Sequence, residues 1–191
     1  MIKYFTNSEL KKLFKTIENS EGKNQVRDEA IFKIGYYCAL RASEISIINI
    51  EDYNSPRNEL YCKRLKGSNN NTIKIIDKDI LRALKRHIRN NNPESVMFVS
   101  QKKNPISRKT LDYLMKKYCS MAQIKDISKR HFHTLKHTRA VDLGNSGLDL
   151  KEIQYWLGHK EVTNTEIYFQ FTSQQQENMY NKIVKNISKL S

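Results

Sequence analysis

Helical periodicity over most of the chain, interrupted once by a strand–turn–strand pattern, predicts a mainly α fold carrying a small antiparallel β-hairpin or sheet, an α+β class. Two further observations confine it. A chain of 191 residues is long enough for one domain with its own core, and no Pro/Gly-rich linker or internal repeat divides it. A single domain is expected over residues 1–191, with its core at about 4–173 and a C-terminal helix or tail at 174–191.

The elements follow in order. TNSELKKLFKTIEN (6–19) offers Thr6 or Ser8 as a cap and places Leu10, Leu13, Phe14 and Ile17 at helical spacing. VRDEAIFKIGYYCAL (26–40) is apolar on most faces and predicts a buried helix. A short helix is expected through SEISIINI from near Ser43. The period then changes: ELYCKRLK (59–66) and TIKIID (72–77) flank the turn-rich GSNNN and read as a β-hairpin. Helical patterns resume at 79–90, 107–122, 133–147 and 150–158, followed by a helix in VTNTEIYFQF and a polar helix at 174–189. In that last segment Met179, Ile183, Ile187 and Leu190 form one apolar stripe, which suits either its own core or a partner.

Lys and Arg number 34 against 20 Asp and Glu, a net charge of +14. Such an excess suits a polyanion, because phosphates neutralised by Lys and Arg release their counterions; a Lys-rich bias that only maintains solubility is the bland alternative. No stretch approaches the apolar run of about 18 residues that reads as a transmembrane helix. MIKYFTNSELKK has no signal-peptide character, so a cytoplasmic protein without membrane partners is expected. Cys38, Cys62 and Cys119 form no close-spaced pair, which argues against a disulfide framework or a cysteine zinc site.

Several residues could carry chemistry. Arg41, at the end of the buried helix, is either paired with Glu44 or aimed at an anion. Lys66, beside Gly67 at the hairpin turn, is either a solvated turn lysine or a cation carried into a DNA groove. His133 and His137 are four apart on one helix face, but Thr134 stands where a zinc-binding HExxH needs Glu and no third ligand is evident. No metal or other cofactor is therefore expected, and His137 reads as a buried, hydrogen-bonded helix histidine. WLGHKEVTNTEIY, finally, is either a helix end with packing residues or a histidine, His159, and a nucleophile, Tyr168, on two sides of one phosphate.

LRASEI, a hairpin lysine, HTLKHTRAVDL and WLGHKEVTNTEIYFQF, in this order and at these separations, resemble the catalytic domain of the tyrosine recombinases, or phage integrases. The resemblance runs from about Tyr4 to Tyr180 and rests on the family patterns R-x-x-E-L, a hairpin Lys, H-x-L-R-H, and L-G-H with Tyr nine residues on. It implies Arg41, Lys66, His133, Lys136, His159 and Tyr168 as catalytic residues. At one position the chain departs from the pattern: Lys136 stands where the family usually has arginine, exchanging a planar fork for a mobile point charge. Such recombinases usually carry an additional N-terminal helical domain that completes a clamp round DNA. Because the match starts almost at Met1, that core-binding domain is expected to be absent.

The constellation is chemically coherent. In-line attack adds negative charge to a phosphodiester, and fixed cations and donors such as Arg41, Lys136 and His159 stabilise it without a metal. A phenol of pKa about 10 needs a neighbour to take its proton, and His133 is the leading base or proton relay. By resemblance, Lys66 protonates the departing 5′-oxygen, and the C-terminal helix docks on a neighbouring protomer during assembly on double-stranded DNA. The expected function is site-specific integration or excision of mobile DNA through a 3′-phosphotyrosyl intermediate. A type IB topoisomerase-like relaxing enzyme and a catalytically impaired DNA-binding module stay open.

Overall fold

The computed structural model describes residues 2–65, 67–89, 95–168, 179–181 and 183–184. Its elements are α1 (Asn7–Glu18), α2 (Gln25–Tyr37), α3 (Ala42–Ile45), β1 (Tyr53–Asn54), β2 (Glu59–Cys62), β3 (Asn71–Lys74), α4 (Lys78–Ile88), α5 (Arg108–Met121), α6 (Thr134–Asn145), α7 (Leu150–Leu157) and α8 (Thr163–Glu166), with 3₁₀ turns at Ile50–Asp52 and Ile127–Lys129. The mainly helical class with one small antiparallel sheet is as the sequence predicts.

Local chemistry explains the helix starts. Thr6 accepts from the Glu9 amide while the Glu9 carboxylate accepts from the Thr6 amide, a reciprocal cap that opens α1 and turns Leu10, Leu13 and Ile17 inward. Ser107 caps α5 through the Thr110 amide. Helix α2 is central and packs against α1, α4 and α6. Its charged residues are buried but paired: Lys33 donates to Glu18, Glu29 and Asp79, and Tyr118 donates to Asp28. Gly35 lets α6 approach, because an added Cβ there would stand 2.8 Å from the Phe132 ring just ahead of that helix.

The sheet runs β1-β2-β3, all antiparallel, with Leu60 opposite both Tyr53 and Ile73, and Cys62 opposite Asn71. Strand β2 therefore stops at Cys62 rather than at the expected Lys66, and Asn71 belongs to β3 rather than to the turn. The residues between the strands spend their hydrogen bonds elsewhere: the Arg64 amide donates to the Asn70 side chain and the Asn69 amide to the Gly158 carbonyl. The two-residue β1 was missed because it is too short to show alternation. Cys38, Cys62 and Cys119 are all buried and free, and the Cys62 thiol donates to the Leu60 carbonyl.

The helix expected in VTNTEIYFQF reduces to the single turn α8, with 169–171 outside the described residues. Most of the expected 174–189 helix also lies outside them, although 179–181 and 183–184 are helical. Among the described residues no helix is long and apolar enough to cross a membrane, and no group of three metal-ligating side chains occurs.

Candidate active site

How α7 ends determines where the site lies. Asp149 and Glu152 form a reciprocal cap at its start. At its end Gly158 adopts φ 66° and ψ 27°, the left-handed conformation that terminates a helix. The last carbonyls of a helix lack intrahelical partners and carry the negative end of its dipole. Here the Gln154 carbonyl accepts from the His159 amide, and the three that follow receive side chains from elsewhere in the chain. The Tyr155 carbonyl accepts from Asn71 at 2.5 Å, the Trp156 carbonyl from Asn71 at 3.1 Å and Arg64 at 3.0 Å, and the Leu157 carbonyl from Lys136 Nζ at 2.9 Å.

Gly158 is confined as well as bent. A Cβ there would lie 2.8 Å from the Asn69 carbonyl oxygen and 2.9 Å from Arg64 Cγ and Nε. Gly158→Ala is therefore expected to destabilise the fold by about 2–4 kcal/mol, the left-handed backbone penalty plus the clash, read as a lower urea midpoint.

Arg64 is the residue the sequence reading missed. Its side chain is fully buried and also donates to the carbonyls of Cys38 and Ala39 at the end of α2, to Asn71 Oδ1, and to Glu44. One guanidinium thus caps two helices. The signal was present: inward positions alternate Leu60, Cys62, Arg64, and an inward arginine must be paired. Glu44 is equally buried and accepts from the Arg41 amide and guanidinium, the Leu65 amide and Arg64. Burial works to raise its pKa, but Lys136, Arg41 and Arg64 outweigh that and hold it below the usual carboxylate value.

Above this layer a cavity of about 450 Å³ is lined by Arg41, His133, Lys136, His137, His159 and Tyr168, with Gly67 and Ser68 at the hairpin side. The structure thus brings together five of the six residues predicted from sequence. The sixth, Lys66, lies outside the described residues, but on either side of it the Leu65 carbonyl and Ser68 hydroxyl accept from Arg41 at 3.4 and 3.1 Å. Arg41 satisfies both alternatives left open by its sequence: it pairs with Glu44 at 2.7 Å and also lines the cavity.

The electrostatics favour neutral acids and bases beside fixed cations. Lys136 is only 1% exposed; burial, then Arg64 and Arg41, bring its pKa from 10.5 to about 7. His159 shares a hydrogen bond of 3.0 Å with buried Thr165 through Nδ1, and burial with Lys136 and Arg41 takes its pKa to about 3. His133 stands on the rim with its edge open to solvent, yet the protein around it, followed by His137, Lys136 and Arg41, draws its pKa to about 4. Burial pushes Tyr168 up to about 12, so it holds its proton at neutral pH. The Tyr168 hydroxyl lies 2.6 Å from Nδ1 of His137, not of His133. A second cavity of about 590 Å³ adjoins the first through Arg41, His133 and His137 and continues the basic surface with Lys3, Arg108 and His131.

The chain is 33% identical over 175 residues to the tyrosine recombinase XerA of Pyrococcus furiosus, covering 90% of this chain and 58% of that protein. It superposes with TM-scores of 0.77–0.78 and 23–24% identity on solved Xer recombinases, among them a XerH site-specific recombinase bound to difH substrate in a pre-cleavage complex, covering 93% of this chain and 53% of that one. The catalytic domain of bacteriophage HP1 integrase matches at a TM-score of 0.70 and 16% identity, with 95% of both chains covered. The chain spans between half and three fifths of the length of the curated relatives it matches. Residues 3–175 match the phage integrase family, and the chain belongs to that family.

Proposed function

We propose that this chain is the catalytic portion of a site-specific tyrosine recombinase, cleaving and rejoining double-stranded DNA through a 3′-phosphotyrosyl intermediate on Tyr168 for integration or excision of mobile DNA. The observation that carries the reading is the cavity in which Tyr168 faces Arg41, Lys136 and His159. Related proteins named as recombinases favour strand exchange over simple DNA relaxation. The net charge of +14 favours a duplex partner, as does the transposon right end DNA bound by the Tn1549 integrase, a solved structure of similar fold.

Each residue has a distinct task in this reading. Arg41, already braced by Glu44, grips a non-bridging oxygen. Neutral His159, fixed through Nδ1 by Thr165, donates a hydrogen bond from its other ring nitrogen. Lys136 commits one donor to Leu157 and turns others to the phosphate, whose arrival restores its full charge. Added charge in the transition state meets donors that are already oriented, so little reorganisation is required. Lys66 protonates the 5′-leaving oxygen, and Arg41 steadies the loop that bears it through Leu65 and Ser68. The segment 174–191 docks on a neighbouring protomer, a role supported by the exposure of Met179 and Ile183.

The test is covalent trapping. Incubated with a pool of nicked duplexes of randomised sequence and run on a denaturing gel, the chain should yield a protein–DNA adduct that peptide mass mapping places on Tyr168. An adduct on Tyr155 or Tyr180 would move the nucleophile; binding without any adduct would favour the DNA-binding module.

A further inference from the structure

The first turn of α6 carries two histidines, and only one of them touches the hydroxyl on which the proposed reaction depends. Nδ1 of His137 lies 2.6 Å from that hydroxyl, within the range of a strong O–H···N bond, and the two rings are 5.5 Å apart at 41°. His133 meets the His137 ring edge-to-face at a centroid distance of 4.3 Å and is open to solvent. We propose that His137 is a catalytic residue that holds the Tyr168 hydroxyl through Nδ1 and accepts its proton as the phenolic oxygen attacks phosphorus. This rests on the assignment of Tyr168 as nucleophile.

The ionic surroundings agree with the geometry. The ionisable groups that share its cavity are His133 and Lys136 from its own helix, Arg41 from the start of α3, His159, Lys160 and Glu161 between α7 and α8, and Tyr168 from beyond α8. Across the adjoining cavity stand Arg108, Asp112 and His131. Burial and then Lys136 lower the His137 pKa, which keeps the ring neutral at pH 7 and its Nδ1 lone pair available. Burial raises Tyr168, so the phenol is the donor. The proton transfer runs uphill in the resting site and is therefore concerted with attack, as in general-base catalysis.

The step balances. The Tyr168 O–H bond breaks and its proton goes to Nδ1 of His137 while the phenolic oxygen forms the new bond to phosphorus. The P–O5′ bond breaks, and the 5′-oxygen leaves with the electron pair and takes a proton from Lys66. On rejoining, the imidazolium returns its proton to the departing phenolate. His133, next in line and solvent-facing, is placed to exchange protons with water rather than with the nucleophile.

The experiment uses the duplex recovered by trapping, synthesised with sulfur as the 5′-leaving atom so that no leaving-group proton is needed and attack alone sets the rate. With the unaltered chain, adduct formation should slow at acid pH, below the ordinary imidazole range, as His137 becomes protonated. His137→Gln should cut the rate roughly 10²–10⁴-fold and flatten the acid limb, with duplex affinity retained. His133→Gln should keep that limb. A His137→Gln rate within threefold of the parent, or an acid limb that persists in that variant, overturns the proposal. A second measurement needs no change at His137: the ¹⁵N resonance of its Nδ1 should move when Tyr168→Phe removes the donor, and an unmoved resonance also overturns it. Absence of an adduct from the unaltered chain overturns both this inference and the function it rests on, whereas failure confined to His137→Gln leaves the function standing.

Discussion

Tyr168→Phe is expected to form no covalent adduct with DNA while binding duplex almost as tightly as the parent. The substitution removes one oxygen, and that oxygen is the atom proposed to bond phosphorus, so no residual pathway through residue 168 remains. Most of the ring's packing persists, because Tyr168 sits against Ala39, Ala140, Leu143, Ile153 and Leu157 in a small apolar cluster that phenylalanine also fills. The hydroxyl's partner, His137, is half-buried and water can replace the lost donor, so the stability change should stay near 1 kcal/mol. Cleavage should fall at least about 10⁴-fold, the scale on which loss of an acting nucleophile is measured. Gel trapping reads the adduct and a salt-titrated binding curve reads the affinity; persistent adduct in this variant would place the nucleophile at another tyrosine.

The second large effect belongs to Lys136, and it has two sides. Lys136→Ala should reduce cleavage by roughly 10²–10³-fold, as expected for removing one preorganised stabiliser of transition-state charge, whereas Lys136→Arg should retain most of it. Stability should respond in the opposite sense. The folded pKa of about 7 lies below the starting 10.5, so between those values the unfolded chain binds the additional proton and this group makes stability rise with pH. Below pH 7 the full cost of a buried ammonium is present. Lys136→Met should therefore melt higher than the parent at pH 6, by a few degrees, with the advantage shrinking as pH rises past 7. A variant that melts lower than the parent at pH 6 would mean that the bond to Leu157 outweighs the buried charge.

Most helices and the membership of the site could be read from the sequence because both are written locally. Thr6 with Glu9 and Ser107 with Thr110 announce helix starts within three residues, and LRASEI, HTLKH and LGH each carry their cavity-lining side chains in one short run. What escaped depends on long-range pairing. Arg64 bonds Trp156 across 92 positions and Asn71 bonds Tyr155 across 84, and no periodicity reports such pairs. That His137 rather than His133 contacts the Tyr168 hydroxyl is also visible only in three dimensions, since both lie in the same motif and on the same face. Lys136 was read as a phosphate cation from its motif; that it is buried beneath the cavity, with an amine bonded to a backbone carbonyl, follows only from the closure of α6 on α7.

The hydrogen bonds that finish α7 have a consequence for inheritance. The carbonyls beside His159 are completed by side chains of the hairpin, so the hairpin and the LGH turn constitute one heritable unit although nearly a hundred residues separate them in the gene. A hairpin transplanted from a relative without an arginine at position 64 or an asparagine at 71 would leave buried acceptors at Cys38, Ala39 and Trp156, each costing about 1–3 kcal/mol. Crossovers between members of the family that fall between Asn71 and Tyr155 should therefore survive only when both parents share this lock, which makes the interval a barrier to shuffling rather than a neutral spacer.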